Sequence, residues 1–164
     1  MTDASALHSP SGPPAEPTSK ARLRLWLKLL KASNLVQDTL RRRLRDEFGS
    51  TLPRFDVMSA LARAPDGLRM TEISAQLRVS NGNVTGIVNR LETEGLARRG
   101  PVPGDRRAQL VRLTEAGRTA FTAQAERHER WIDELLAGLD AGQTAHAAEL
   151  LDRLTEPMDR KDNG

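Results

Sequence analysis

The side chains best suited to chemistry in this chain lie at residues 80–93, in the segment SNGNVTGIVNRLET. Helical periodicity would turn its polar side chains to one outward face: Asn81, Asn83, Thr85, Asn89 and Arg90. Amides can form paired hydrogen bonds with adenine, and arginine can do so with guanine, so this face suits the major groove of DNA. Gly82 and Gly86 each cost a helix roughly 1 kcal/mol relative to alanine. We expect them to let the helix backbone lie close to a phosphate strand.

A pair of helices joined by a short turn is predicted around this segment. Apolar residues recur at helical spacing and should face inward: Ile73, Leu77, Val84, Ile87, Val88 and Leu91. The hydroxyl of Ser80 can cap the second helix, and Gly95 is placed to end it in the left-handed conformation. The spacing therefore predicts a helix-turn-helix.

A basic hairpin is predicted directly after the second helix. One strand carries Arg98 and Arg99, residues 100–104 form the tip, and the returning strand begins with Asp105, Arg106 and Arg107. Arginines on a projecting hairpin can neutralise phosphates or enter a narrow minor groove. The aspartate would accept hydrogen bonds from a neighbouring arginine and fix its direction. A solvated charged loop is the alternative interpretation.

From about residue 23 to residue 154 the chain resembles the multiple-antibiotic-resistance regulator (MarR) family of bacterial transcription factors, most specifically at VSNGNVTGIVNRLETEGL and GDRRAQLVRLTEAGR. The resemblance implies a mainly α fold with a small β-hairpin wing, a winged helix-turn-helix, and long terminal helices that form a homodimer. It also implies that Arg107 is the minor-groove arginine of the wing and that Asp105 orients it. The residues predicted to contact double-stranded DNA are Ser80, Asn81, Asn83, Thr85, Asn89, Arg90, Arg98, Arg99, Asp105, Arg106 and Arg107.

The remaining pattern predicts one domain at residues 21–157. Its winged helix-turn-helix occupies about 52–113, its dimerisation helices about 21–48 and 114–157, and tails lie at 1–20, expected to be disordered, and at 158–164. The apolar seam toward a second copy is predicted at Leu135, Leu136, Leu139, Leu150, Leu151 and Leu154. A two-fold dimer would place two recognition helices roughly 34 Å apart on a pseudo-palindromic operator. The alternative is that these helices only complete the core of a monomer.

The resemblance further implies an effector site between the dimerisation helices and the winged helix. The residues expected to line it are Arg22, Trp26, Leu30, Arg54, Phe55, Met58, His128 and Trp131. The stretches RLWLKLL and LPRFDVMSAL are similar to a subgroup that controls aromatic-acid catabolism and responds to aryl-coenzyme A thioesters. Aromatic walls and cations suit a small aromatic acid or its coenzyme A thioester, which we expect to release a repressor from its operator. Ordinary core packing, solvated charge and contacts to the DNA backbone are the alternatives for these residues.

Composition argues against several other classes of protein. The absence of cysteine excludes disulfides and thiol-based redox sensing. The three histidines are scattered, and neither metal-ligand spacing nor a phosphate-binding loop occurs, so we expect no enzyme, no metal site and no cofactor. No apolar run approaches the roughly 20 residues that span a bilayer, so we expect a cytoplasmic protein with no membrane partner. A winged-helix protein-interaction module without sequence-specific DNA binding remains the alternative function.

Overall fold

The computed structural model describes residues 18–102 and 105–162, with side chains over 18–101 and 109–156. Its elements follow in the order α1 (Thr18–Phe48), α2 (Leu52–Ala62), β1 (Leu68–Arg69), α3 (Met70–Leu77), α4 (Asn81–Thr93), β2 (Ala97–Val102), β3 (Asp105–Leu113), α5 (Glu115–Leu136) and α6 (Ala141–Asp162). The chain divides into two compact units, Met1–Leu35 and Val36–Gly164, and the first half of α1 belongs to the former. None of the described helices is long and apolar enough to cross a membrane.

Side-chain caps start α4, α5 and α6, and the cap at Ser80 lies where the sequence predicts it. The Oγ of Ser80 accepts a hydrogen bond from the backbone N–H of Asn83 (3.4 Å), and the Oγ1 of Thr114 accepts one from that of Gly117 (3.0 Å). Asp140 and Gln143 exchange two hydrogen bonds at the start of α6, of 2.8 and 3.0 Å. These bonds satisfy backbone donors that have no partner inside a helix, so each boundary is fixed locally.

The predicted stop of α4 is also confirmed. Gly95 has φ +72°, and its N–H donates to the carbonyl of Glu92 (2.9 Å). The N–H of Leu96 donates to the carbonyl of Leu91 (2.8 Å). This pair of bonds is a Schellman motif, in which a glycine in the left-handed conformation turns the chain away from the helix axis. The chain is thereby directed into β2.

A three-stranded antiparallel sheet, in the order β1-β3-β2, replaces the simple hairpin that the sequence predicts. The extra strand β1 pairs Leu68 with Val111 and Arg69 with Leu110. Two residues are too few to show the alternation that identifies a strand in a sequence. The returning strand of the wing, β3, is therefore paired with β1 on one side and with β2 on the other.

Two apolar clusters lie in the described part of the second unit. The first joins α2, α3, α4 and the sheet, and its most buried members include Val57, Met58, Ile73, Val84, Val88, Leu91 and Val111. The second joins the end of α1 to α2 and α5 through Leu40, Leu44, Phe55 and Trp131. The inward-facing residues predicted for the helix-turn-helix are confirmed, with Leu77 and Ile87 partly buried against the first cluster. The last helix, α6, runs to Asp162 and so includes part of the segment that the sequence assigns to a C-terminal tail.

Candidate nucleic-acid interface

The outward face of α4 carries the polar side chains that the sequence places there. The described structure leaves all five exposed: Asn81, Asn83, Thr85, Asn89 and Arg90. On the opposite face Val84, Val88 and Leu91 have no accessible surface. Because one face is fixed in the core, the other is held rigidly in a defined orientation. A rigid row of amides, a hydroxyl and a guanidinium is suited to hydrogen bonding with base edges.

Both glycines of α4 face open space. A Cβ atom built on Gly82 or on Gly86 would meet no heavy atom within 4 Å apart from its helical surroundings. They border a cleft of about 320 Å³ between the start of α2 and α4, lined by Gly49, Thr51, Arg54, Gly82, Asn83, Gly86, Ile87 and Arg90. Internal packing therefore gives no reason for glycine at either position. The cleft is open, and its lining includes the cationic side chains of Arg54 and Arg90.

An ion pair closes one side of this cleft. Arg54 on α2 donates through both terminal nitrogens to the carboxylate of Glu94 at the end of α4, one of these bonds measuring 2.8 Å. These hydrogen bonds, together with the charges of Arg54 and Arg90, hold the pKa of Glu94 below its ordinary range. The Nε atom of Arg54 is buried without a hydrogen-bond partner in the described structure. The sequence predicts Arg54 as an effector contact; the structure places it beside the polar face of α4, and that role stays a prediction.

A second ion pair connects the wing to α4. Arg99 on β2 donates to Glu92 from its backbone N–H (2.9 Å) and from Nη1 of its guanidinium. Its Nη2 donates to the Oδ1 of Asn89 (2.7 Å). Arg98, the neighbouring residue on β2, is exposed. Sequence reasoning missed both acidic partners, Glu92 and Glu94. Only the pair of Glu92 and Arg99, which flank the turn from α4 to β2, has a local signal in the sequence.

The predicted wing-tip residues lie at the edge of what the structure describes. Asp105 begins β3, where its backbone pairs with Val102, and Arg106 and Arg107 follow along the same strand. Their side chains are outside the described ones, so their roles as minor-groove contact and orienting partner stay predictions. The strands continue into the predicted tip, since β2 ends only at Val102.

The residues predicted to line an effector site have several different environments. In the first unit Trp26 and Leu30 are exposed by 57% and 41%, and Arg22 is exposed as well. Met58 is fully buried in the first apolar cluster, whereas Phe55 belongs to the second. An apolar face on a helix fits a pocket wall and a core equally well, which is why sequence alone could not separate the two. The effector roles of these residues stay predictions.

Aromatic contacts join α2 to α5 within the second unit. Phe55 stacks on His128 with ring centroids 4.6 Å apart and packs against Phe121 at 5.5 Å. Burial in this apolar setting lowers the pKa of His128 below its ordinary range. The imidazole is therefore neutral at neutral pH, because desolvation disfavours its charged form.

Trp131 is held between two guanidinium groups. Arg43 and Arg127 each lie 5.8 Å from the centre of its ring system, and Phe48 meets it edge-on at 6.3 Å. Arg127 also forms two hydrogen bonds with Glu47, of 2.8 and 2.9 Å. With 1% of its surface exposed, Trp131 is a core residue in this structure. Its neighbours tie the end of α1 to α5.

Over most of its length this chain is similar to known transcriptional regulators. The model of the MarR family matches residues 48–108. The chain is 29% identical to the transcriptional activatory protein BadR of Rhodopseudomonas palustris, over 86% of this chain and 82% of that protein. It superposes with a TM-score of 0.75 on Sco3205, a MarR family transcriptional regulator of Streptomyces coelicolor solved in complex with DNA, at 26% identity and over 88% and 91% of the two chains.

A MarR family transcriptional regulator from Silicibacter pomeroyi gives a more similar sequence. The two chains are 38% identical, with a TM-score of 0.73, and the match covers 87% of this chain and 99% of the other. Identity at this level over the whole of a solved family member, together with the helix-turn-helix and its basic wing, shows that the chain belongs to the MarR family of DNA-binding transcription regulators.

Proposed function

We propose that this protein is a dimeric repressor that binds a pseudo-palindromic operator and is released from it by a small aromatic acid or the coenzyme A thioester of one. The observation that carries the DNA-binding part is the exposed polar face of α4, where amides and Arg90 are displayed from a helix whose other face is core. Such side chains distinguish base pairs through hydrogen bonds in the major groove.

The cleft beside α4 supports a close fit to the DNA backbone. Gly82 and Gly86 leave the surface of the helix without Cβ atoms, and Arg90 stands at the rim of the same cleft. A phosphate strand lying here would approach the backbone of α4 while cations neutralise its charge. Arg98 and the two arginines of the wing tip then extend the contacts to the adjacent minor groove, as the sequence predicts.

Exposed apolar side chains support assembly with a second copy. In the first unit Leu23, Trp26 and Leu35 are exposed by 57 to 59%. In the second unit Leu136, Leu139, Leu150, Leu151 and Leu154 are exposed by 42 to 48%, whereas Leu135 packs partly against the second apolar cluster. Large apolar groups left in water at this density are typical of an interface. A two-fold dimer also supplies the second recognition helix that a pseudo-palindromic site requires.

Light scattering after size-exclusion chromatography tests the dimer. The expected mass is twice the 18.1 kDa of one chain. Replacing Leu151 and Leu154 on α6 with glutamate should yield monomers, because charge is costly to bury in an apolar interface. Glutamate at both Thr119 and Thr122, which are exposed on α5, adds the same charge outside the leucine seam and should leave the dimer intact. A wild-type protein that stays monomeric at micromolar concentration while binding operator DNA would contradict this assembly.

Fluorescence anisotropy with the DNA beside the protein's own gene tests the regulatory function. We expect tight binding that weakens steeply with salt and that Arg90→Ala reduces at least fivefold, since an arginine contact to a base or a phosphate is lost. Arg130→Ala, an exposed arginine of α5, is the matched control and should change little. Equal binding of wild-type protein to random DNA would favour a protein-interaction module instead.

The same assay tests the effector. Adding an aromatic acid, or separately its coenzyme A thioester, should lower the operator affinity of the dimer. The effector would bind more tightly to the conformation of the dimer that does not fit DNA and would thereby stabilise it. Because the relative from Rhodopseudomonas palustris is named an activatory protein, transcription from the adjacent promoter should be measured with and without the protein. Lower transcription in its presence supports repression, and higher transcription overturns it.

A further inference from the structure

The contacts of Arg99 determine how one DNA-facing amide is oriented. The guanidinium lies between Glu92, which binds Nη1, and Asn89, whose Oδ1 accepts from Nη2 at 2.7 Å. Its backbone N–H also donates to Glu92. The side chains of Arg99 and Glu92 are only 24% and 27% exposed, whereas Asn89 is exposed on the outward face of α4. The mostly buried ion pair of Arg99 and Glu92 is thus connected to the exposed polar face of α4 through the side-chain amide of Asn89.

The chemistry of the two groups allows one orientation of that amide. A guanidinium has donors and no acceptor, so the amide atom that faces it must be the carbonyl oxygen. A hydrogen bond from a charged donor is roughly twice as strong as one between neutral groups. Asn89 therefore keeps its Oδ1 toward Arg99 and its Nδ2 amino group toward solvent.

This arrangement determines which group of Asn89 faces the DNA. With its oxygen held by Arg99, Asn89 presents its amino group, a hydrogen-bond donor, to the major groove. The acceptors there are guanine O6 and N7, adenine N7 and thymine O4. Cytosine presents only its N4 amino donor, so it gives Asn89 no acceptor.

Resting on the operator binding proposed above, we propose that Arg99 is a positioning residue that fixes Asn89 as a hydrogen-bond donor toward the DNA. Asn89 then selects against cytosine at one position of each half-site of the operator. Arg99 itself acts through Asn89 and Glu92 and makes no phosphate contact. Specificity at one base pair is in this way controlled from the wing strand β2.

Binding to permuted operators tests the proposal. Sites are first selected from a random duplex library with the wild-type protein, and affinities are then measured for every base at each position. We expect Asn89→Ala to remove a discrimination of about fivefold against cytosine at one base pair per half-site, since about one hydrogen bond is lost. Arg99→Ala should relax the same base pair and leave the preferences elsewhere unchanged. In the Asn89→Ala background it should change base preference no further, since the two residues act as one unit.

Three further variants separate positioning from other roles. Asn89→Asp keeps an acceptor for Arg99 but removes the donor, so the preference should be lost although the fold is retained. Arg99→Lys keeps a cation beside Glu92 but cannot reproduce the forked geometry, and it should relax the preference without unfolding the protein. Arg98→Ala removes an exposed charge from the adjacent position of β2 and should weaken binding to all sequences alike. Thermal unfolding of each variant shows whether the fold is retained.

The proposal is overturned if Asn89→Ala changes no base preference, or if the base that Asn89 selects is cytosine. It is also overturned if Arg99→Ala weakens binding to all sequences equally and lowers the salt slope by about one, as the loss of a phosphate contact does. If the wild-type protein enriches no sequence at all, the proposed function fails and this inference fails with it. If the wild-type protein does enrich a sequence, but neither Asn89→Ala nor Arg99→Ala changes its base preferences, this inference fails while the proposed function stands.

Discussion

Gly86→Ala should make the protein more stable and its binding to DNA weaker. The added methyl group meets no neighbouring atom in the protein, and alanine is favoured over glycine inside a helix by up to about 1 kcal/mol. The same methyl group projects into the cleft where we place the phosphate strand, and it would force the DNA away from the helix. We expect a loss of operator affinity of about tenfold, which corresponds to about 1.4 kcal/mol.

Chemical denaturation and anisotropy on the same preparation measure the two effects. Gly142→Ala provides the control, because Gly142 lies in the first turn of α6 and its added Cβ would be no nearer than 3.4 Å to Asp140. That variant should leave DNA affinity unchanged. If Gly86→Ala binds the operator as tightly as the wild type, the backbone of α4 does not approach DNA at this point, and the docking proposed here is wrong.

Among substitutions that add a single methyl group, Gly117→Ala should cause the largest loss of stability. Gly117 lies in the first turn of α5, and a Cβ there would be 1.9 Å from the carbonyl oxygen of Leu96 and 2.8 Å from its carbon. Both of these are backbone atoms, held by the bond from the N–H of Thr114 to the Leu96 carbonyl (3.0 Å). Relieving the overlap requires α5 to move away from the turn that ends α4. We expect about 3 kcal/mol of destabilisation, as for severe overpacking.

Thermal unfolding should therefore show a fall in midpoint of roughly 10 °C for Gly117→Ala. Gly86→Ala is the matched control, since it makes the same chemical change in a helix where nothing lies within 4 Å. A midpoint within 2 °C of the wild type, that is within about 1 kcal/mol, would mean that α5 does not pack against Leu96 as described.

The local features of the helix-turn-helix could be predicted because short-range chemistry determines them. Ser80 and Gly95 mark the two ends of α4 by a side-chain cap and a positive φ, and both effects act within a few residues. Periodicity then separates the buried valines from the exposed amides. The face of α4 follows from these two signals without knowledge of the rest of the fold.

Contacts between elements that are far apart in the chain could not be predicted from the sequence. The pairing of Arg99 with Asn89 depends on β2 folding back beside α4, and that of Arg54 with Glu94 on the packing of α2 against α4. The two residues of β1 form a strand only because they pair with β3. These contacts change the expected role of the residues, because an arginine engaged with a carboxylate orients its neighbours.

The apolar residues of the long helices could not be assigned for a related reason. Trp131 is buried between α1 and α5, whereas Trp26 is exposed, and both are tryptophans on amphipathic helices. Which apolar face meets the core, a ligand or a second chain depends on the tertiary and quaternary structure. The leucines of α6 satisfy no contact within the described core, which is why they support the proposed dimer.

Chemical protection of the bound operator tests most directly whether α4 occupies the major groove. Dimethyl sulfate methylates guanine N7, which faces the major groove, and adenine N3, which faces the minor groove. With a site selected by the wild-type protein, we predict protection of guanine N7 in two segments about one helical turn apart on one face of the duplex. Protection of adenine N3 alone, or none on a duplex that is fully bound, would contradict the assignment of α4 as the recognition helix.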